Sequence, residues 1–161
     1  MDDKFPMTPA GHRKLKADLR QVRDVDRHEN VREIEAALEH GDLKENAEYH
    51  AAKERQAQLN GRKRMLEYRL AHAVVIDPAT IKSDKVAFGA TVTLTDLQSE
   101  EKIVYSIVGE NEADVARGLI NVNSPIARAM IGKSEGDDIL VKLPRGDREF
   151  ELLNVEFKPV S

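Results

Sequence analysis

The chain has 161 residues, 34% of them charged and 4% aromatic, with 9 Gly, 6 Pro and no Cys. This composition excludes fibrous and Pro/Gly-rich disordered chains, and the absence of cysteine excludes disulfide scaffolds, cysteine zinc sites and thiol nucleophiles. No apolar stretch approaches the roughly 20 residues that span a bilayer, and the start MDDKFPMTPAGHRK has neither an apolar h-region nor a cleavage site, so a cytoplasmic protein with no membrane partner is expected.

The net charge of −4 argues against generic tracking of nucleic-acid phosphates. Its distribution is more informative: residues 1–77 hold 15 basic and 15 acidic side chains, and residues 78–161 hold 10 and 14, so the surplus acid lies wholly in the second half. Thr8-Pro9 is a helix start, because a threonine hydroxyl caps an orphan amide and proline at the first position gives up an N–H that has no partner. Leu15, Leu19 and Val22 then recur at helical spacing. The polar run Asp26–Asn30 interrupts this seam, which is expected to resume, displaced, through Val31, Ile34 and Leu38, as in a coiled-coil stutter. From Tyr49 to Ala73 the pattern is regular, with Ala52, Leu59, Leu66 and Ala73 at one seam position and Tyr49, Gln56, Lys63 and Leu70 at the other. Two helical arms of roughly 30 residues, about 45 Å each, joined near His40–Leu43, predict an antiparallel coiled-coil hairpin with wet outer faces over residues 1–77.

After Asp77-Pro78 the helical period stops and β-rich runs take over at 86–97, 102–108, 119–122, 139–143 and 150–157. Arg145-Gly146-Asp147 offers a turn between the last two. Residues 124–131 read as a short helix with Ser124 as cap, Pro125 at its first position and Gly132 as terminator. Residues 78–161 are therefore expected to form an α+β domain, an antiparallel sheet with one short helix.

The candidate site is the tip of the hairpin. Between Glu39 and Glu48 stand four acids against one lysine, and behind them, from Lys53 to Arg69, six basic residues against two acids. One reading has Asp42 cap the second helix, with the acids favouring its N-terminal dipole. The other has Asp42 and Glu45, three apart, hold a hard divalent cation such as Mg²⁺ together with ligands from a partner, since two carboxylates are too few for an ion that wants six oxygens. His40 and His50 fit no standard helical zinc spacing, and Tyr49 is a seam residue rather than an acid catalyst. Lys53, Arg55, Arg62, Lys63 and Arg64 make a basic stem behind this acidic tip, for which plain solvation is the simplest reading.

The run EHGDLKENAEYHAAKE from Glu39, FGATVTL at 88–94 and NSPIARAMIGKSEGD at 123–137 closely resemble the GreA/GreB family of bacterial transcript-cleavage factors, the GreA branch more closely. The resemblance runs from Met7 to about Phe157. It implies a coiled-coil hairpin joined to a domain like the FK506-binding proteins. It further implies a monomeric factor that docks on RNA polymerase through the segment Ser124, Pro125, Ile126, Ala127 and Arg128 and passes its coiled coil down the secondary channel. There the acids matching Asp42 and Glu45 help hold a Mg²⁺ shared with the polymerase, and the 3′ end of nascent RNA in a backtracked complex is hydrolysed by the polymerase's own site. Family members often carry arginine where this chain has Leu38, and the resemblance leaves Lys53, Arg55, Arg62, Lys63 and Arg64 as candidates for contact with extruded RNA or the channel wall. Rival readings are a prolyl isomerase, for which Phe88, Tyr105, Phe150 and Phe157 make a thin aromatic pocket, a coiled-coil chaperone, and an inhibitory member of the same family, against which both tip acids argue.

Overall fold

The computed structural model describes residues 3–41 and 46–160. Its contacts divide into two units, Arg13–His72 and a second made of the segment up to His12 with everything from Ala73 onward. The expected boundary at Asp77-Pro78 therefore does not coincide with the division by contacts. The reason is a parallel strand pair the sequence analysis did not anticipate: β1 (Phe5–Met7) pairs with β2 (Ala73–Val75), with Phe5 opposite Ala73 and Met7 opposite Val75.

The first arm begins as expected. Helix α1 (Pro9–Gln21) starts at proline, and the Thr8 hydroxyl accepts the Gly11 N–H at 3.2 Å. It runs without a break through a π-helical turn at Val22–Asp26, where the Arg27 N–H bonds the Val22 carbonyl, into α2 (Arg27–Leu38). The π turn accounts for the shift of the seam. A strict seven-residue repeat from Leu15 and Val22 would next bury Glu29 and Ala36, yet both are exposed, and the buried positions are Asn30 and Ala37, one residue later. One extra residue in a turn rotates the following helix by about 100°, so a π turn supplies this displacement. The expectation for Val31 and Leu38 is thereby corrected: each is 46% exposed, and of the three expected residues only Ile34 stays against the seam.

Helix α3 (Ala47–Ala71) returns along α2. Its seam matches the sequence pattern, with Ala52 and Leu66 buried, Leu59 half-buried, and Tyr49, Gln56, Lys63 and Leu70 half-buried on the second row. Ala73 falls outside it, in β2. Two amphipathic helices bury only this one seam, so their other faces are open to water.

In the second unit the sheet order is β5-β4-β3-β7-β6, built from β3 (Ala90–Asp96), β4 (Lys102–Val108), β5 (Leu119–Asn121), β6 (Asp138–Leu143) and β7 (Gly146–Phe157). All neighbours are antiparallel except β4 and β5, which are parallel. The β6–β7 hairpin turns at Pro144-Arg145, with Leu143 opposite Gly146. Helix α4 (Pro125–Met130) lies on one face, its Ala127 and Met130 buried with Val92, Leu94, Ile107 and Phe150. This is the α+β class the alternating runs predicted.

Candidate functional site

Among the described residues, Asn46 braces the hairpin tip. Helix α2 ends at Glu39, followed by Gly41 at φ +97°, a left-handed conformation that favours glycine. Helix α3 is capped by Asn46, whose side chain accepts the Tyr49 N–H at 3.0 Å and donates to the Ala37 carbonyl at 2.7 Å. A single carboxamide thus satisfies the start of one arm and holds the end of the other. The reading in which Asp42 caps the second helix is corrected, since that helix begins after Asn46. Asp42 and Glu45 themselves lie outside the described residues. The flanking acids Glu39 and Glu48 are both exposed, and Glu48 in the first turn of α3 is favoured by the helix dipole. Among the described residues no three His, Asp or Glu side chains come together as a metal site.

The basic residues behind the tip divide into two kinds. Arg55 is engaged within the hairpin, its guanidinium pairing with Glu33 and standing 4.0 Å from Glu29 on the opposite arm. Lys63 pairs with Glu67 one turn on, at 3.1 Å. Lys53 is exposed and donates to Gln56 at 2.9 Å, and Arg62 and Arg64 are exposed. Pairs of this kind on a wet surface contribute roughly 0–1 kcal/mol each, so they orient side chains more than they stabilise the hairpin. Tyr49 lies half-buried in the seam, edge-on to His50 at 5.7 Å between ring centroids.

Of the expected docking segment, the structure turns only part outward. The Ser124 hydroxyl accepts the Ala127 N–H at 3.3 Å as the cap of α4. Ile126 packs against the core, and Ala127, expected in the docking surface, is 0% exposed and belongs to that core instead, because the third position after the cap faces the sheet. Pro125 and Arg128 are the exposed members.

Two groups were missed by sequence reasoning. Glu112 accepts the Thr8 N–H at 3.0 Å and the Gly109 N–H at 3.1 Å, and also takes the Thr8 hydroxyl. The chain Gly11 N–H to Thr8 hydroxyl to Glu112 carboxylate fixes the first turn of α1 to a loop about a hundred residues away, a separation that leaves no local signal in the sequence. Asp96, the last residue of β3, is the second. Its carboxyl is held below the usual aspartate range, first by the Arg148 guanidinium at 2.9 Å and then by the N–H groups of Gln98 and Ser99.

A family model described as "Transcription elongation factor, N-terminal" matches residues 5–75, and one described as "Transcription elongation factor, GreA/GreB, C-term" matches residues 81–157. The chain belongs to the GreA/GreB transcription elongation factor family. Among curated relatives it is 51% identical to the transcription elongation factor GreA of a Nitratiruptor species, over 100% of this chain and 98% of that one. It is 52% identical to GreA of Cereibacter sphaeroides, over 96% and 99%. The resemblance first drawn from three short motifs thus extends over the full chain. Among solved structures, GreA factor homolog 1 of Thermus thermophilus matches at TM-score 0.44 with 26% identity, over 96% and 99% of the two chains. The protein is a transcription elongation factor of this family. Among its described residues no helix is long and apolar enough to cross a membrane.

Proposed function

We propose that this chain acts in the cytoplasm as an accessory factor of RNA polymerase, reaching the active centre through the secondary channel and stimulating hydrolysis of the 3′ end of nascent RNA in backtracked, arrested complexes. What carries the reading is the tip: in sequence the run Asp42-Leu43-Lys44-Glu45 falls between the left-handed Gly41 and the Asn46 brace, within the stretch 5–75 that the N-terminal family model matches. Asp42 and Glu45 would supply carboxylate oxygens to a Mg²⁺ shared with the polymerase. When bound, that ion supplies water activation and charge neutralisation at the leaving oxygen. Two carboxylates fall well short of the six oxygens Mg²⁺ takes, so the factor completes the polymerase's site and is no independent nuclease. Pro125 and Arg128 are the side chains of the 124–128 segment open to the polymerase, and the exposed Lys53, Arg62 and Arg64 are the ones open to RNA or the channel wall.

The test is incubation of a stalled elongation complex, its RNA labelled at the 3′ end, with this protein and Mg²⁺. A labelled short fragment released only when polymerase, factor and Mg²⁺ are all present is the expected result. Cleavage of free RNA by the purified chain, or no stimulation of the stalled complex, would overturn the reading.

A further inference from the structure

Midway along the hairpin, beside the π turn, residues of the two arms line a partly open pocket of about 190 Å³. Arg23, Arg27 and His28 line it from the first arm, Gln56 and Asn60 from α3. No acid is among the described residues that line it, although a third of the chain is charged and acids outnumber bases. Arg23 is turned in part toward Asp24, at 3.1 Å. Arg27 differs: it is half-buried, and among the described residues it has no ion pair or side-chain hydrogen bond. A guanidinium partly withdrawn from water without a counter-charge is favoured by an incoming anion, because the anion replaces hydration that burial has removed. The π turn lies beside this pocket, and after it Asn30 enters the seam, where it donates to the Ala52 carbonyl at 2.9 Å.

We propose that this cavity binds a phosphate group. The residues that line it come from both arms, and guanidinium and carboxamide N–H groups are standard phosphate donors. At about 30 Å³ per water it holds roughly six waters, room for a phosphoryl group and part of its hydration. It is below the roughly 300 Å³ at which pockets take up whole drug-sized ligands, so the rest of a phosphate ester lies outside, against Val31 and Leu59 on the cavity wall. The phosphate can come from a free anion, a mononucleotide or an RNA chain. The inference does not depend on the function proposed above, because it concerns the isolated chain.

The full chain is titrated with inorganic phosphate, a nucleoside monophosphate and a short single-stranded RNA, each against chloride at matched ionic strength, and followed by NMR. Saturable shifts confined to the side chains of His28, Gln56 and Asn60 and the amides around Arg27 are expected. Saturation by inorganic phosphate marks a free-anion site, whereas a response only to the monophosphate or only to RNA identifies the ester that fills it. Arg27→Gln should weaken binding at least about tenfold, the order of one charge-assisted bidentate contact. Asn60→Asp, which places a negative charge on the other arm, should abolish it in a variant with unchanged circular dichroism. Shifts spread evenly over all exposed Lys and Arg, shifts reproduced by chloride, or wild-type affinity in either folded variant would overturn the proposal.

Discussion

Removing the Glu112 carboxylate should loosen the start of α1 more than any change to the exposed hairpin faces. Glu112→Ala takes away an acceptor from the Thr8 N–H, the Gly109 N–H and the Thr8 hydroxyl. Thr8 is fully buried and Gly109 is buried as well, so water does not readily replace what is lost. Each buried donor left without a partner costs about 1–3 kcal/mol, which puts the total at roughly 2–4 kcal/mol once partial relaxation is allowed. At about 4–8 °C per kcal/mol for a unit of this size, the melting temperature of the second unit should fall by roughly 10 °C or more. Glu112→Gln keeps one acceptor oxygen and should lose about half as much. The double variant with Thr8→Ala should show a coupling on the order of 1 kcal/mol, because the hydroxyl and the carboxylate share one bond. Thermal melts followed by circular dichroism, with amide exchange read at Thr8, Gly11 and Gly109, provide the measurement. A Glu112→Ala protein melting within about 2 °C of wild type, with those amides still protected, would refute the assignment of the carboxylate as the clamp on α1.

Asp42→Asn and Glu45→Gln should each lower stimulated RNA cleavage by on the order of 10²-fold while leaving polymerase binding nearly intact, and equal losses in both would make the tip a structural element only. Leu38→Arg should leave the melting temperature within about 2 °C of wild type, as exposed substitutions usually do, because Leu38 is 46% exposed. It should also raise cleavage at limiting factor if RNA passes that position, and unchanged crosslinking to the RNA 3′ segment would remove position 38 from its path. For Asp96 the folded-state carboxyl lies below its ordinary value of 3.8, so its stabilisation is fully present above that value and is lost as pH falls through the lower folded value. Asp96→Asn should accordingly destabilise the protein in denaturant at pH 7, with the deficit narrowing as pH falls below 3.8, and a deficit that does not change with pH would show that the Asp96 carboxylate is not its source.

Where a local rule decides the structure, the sequence is readable. Thr8-Pro9 and Ser124-Pro125 both start helices as capping chemistry requires, and each β-branched run becomes a strand, the run at 102–108 residue for residue, while the run at 86–97 shortens to Ala90–Asp96 and the last extends back to Gly146. The misses share a cause, which is that the deciding interaction is not local. A periodicity argument placed Val31 and Leu38 in the seam and passed over Asn30 and Ala37, which are buried after the π turn has displaced the seam by one residue. Strands β1 and β2 have three residues each, too few for an alternation to show. Ala127 sits in a motif shared with the family, but which of its residues face outward depends on the sheet beneath α4. Of the candidate site, residue types and order were legible, whereas the Asn46 brace and the commitment of Arg55 to Glu33 required the opposite arm to be in place.

These crossings bear on how a tip can be presented to a partner at all. The hairpin seam buries few side chains fully, Val22, Ala37, Ala52 and Leu66 among them, and mixes half-buried Gln56 and Lys63 with its apolar residues, so apolar interlocking specifies register weakly. Register must then come from polar contacts between the arms. Asn30 bonds the carbonyl of Ala52, and the two residues are equally distant from Gly41 along the chain; Asn46 bonds the carbonyl of Ala37 in nearly the same register. Arg55, spanning Glu33 and Glu29, adds a third crossing on the same side of the tip. A buried asparagine at a seam position costs stability relative to leucine and fixes alignment in return. A slip of one residue would break the Asn30 and Asn46 bonds together and move the point of chain reversal along the sequence. For a factor whose proposed chemistry rests on two carboxylates within four residues of that reversal, alignment matters more than the strength of the seam, and the polar residues in the seam are what supply it.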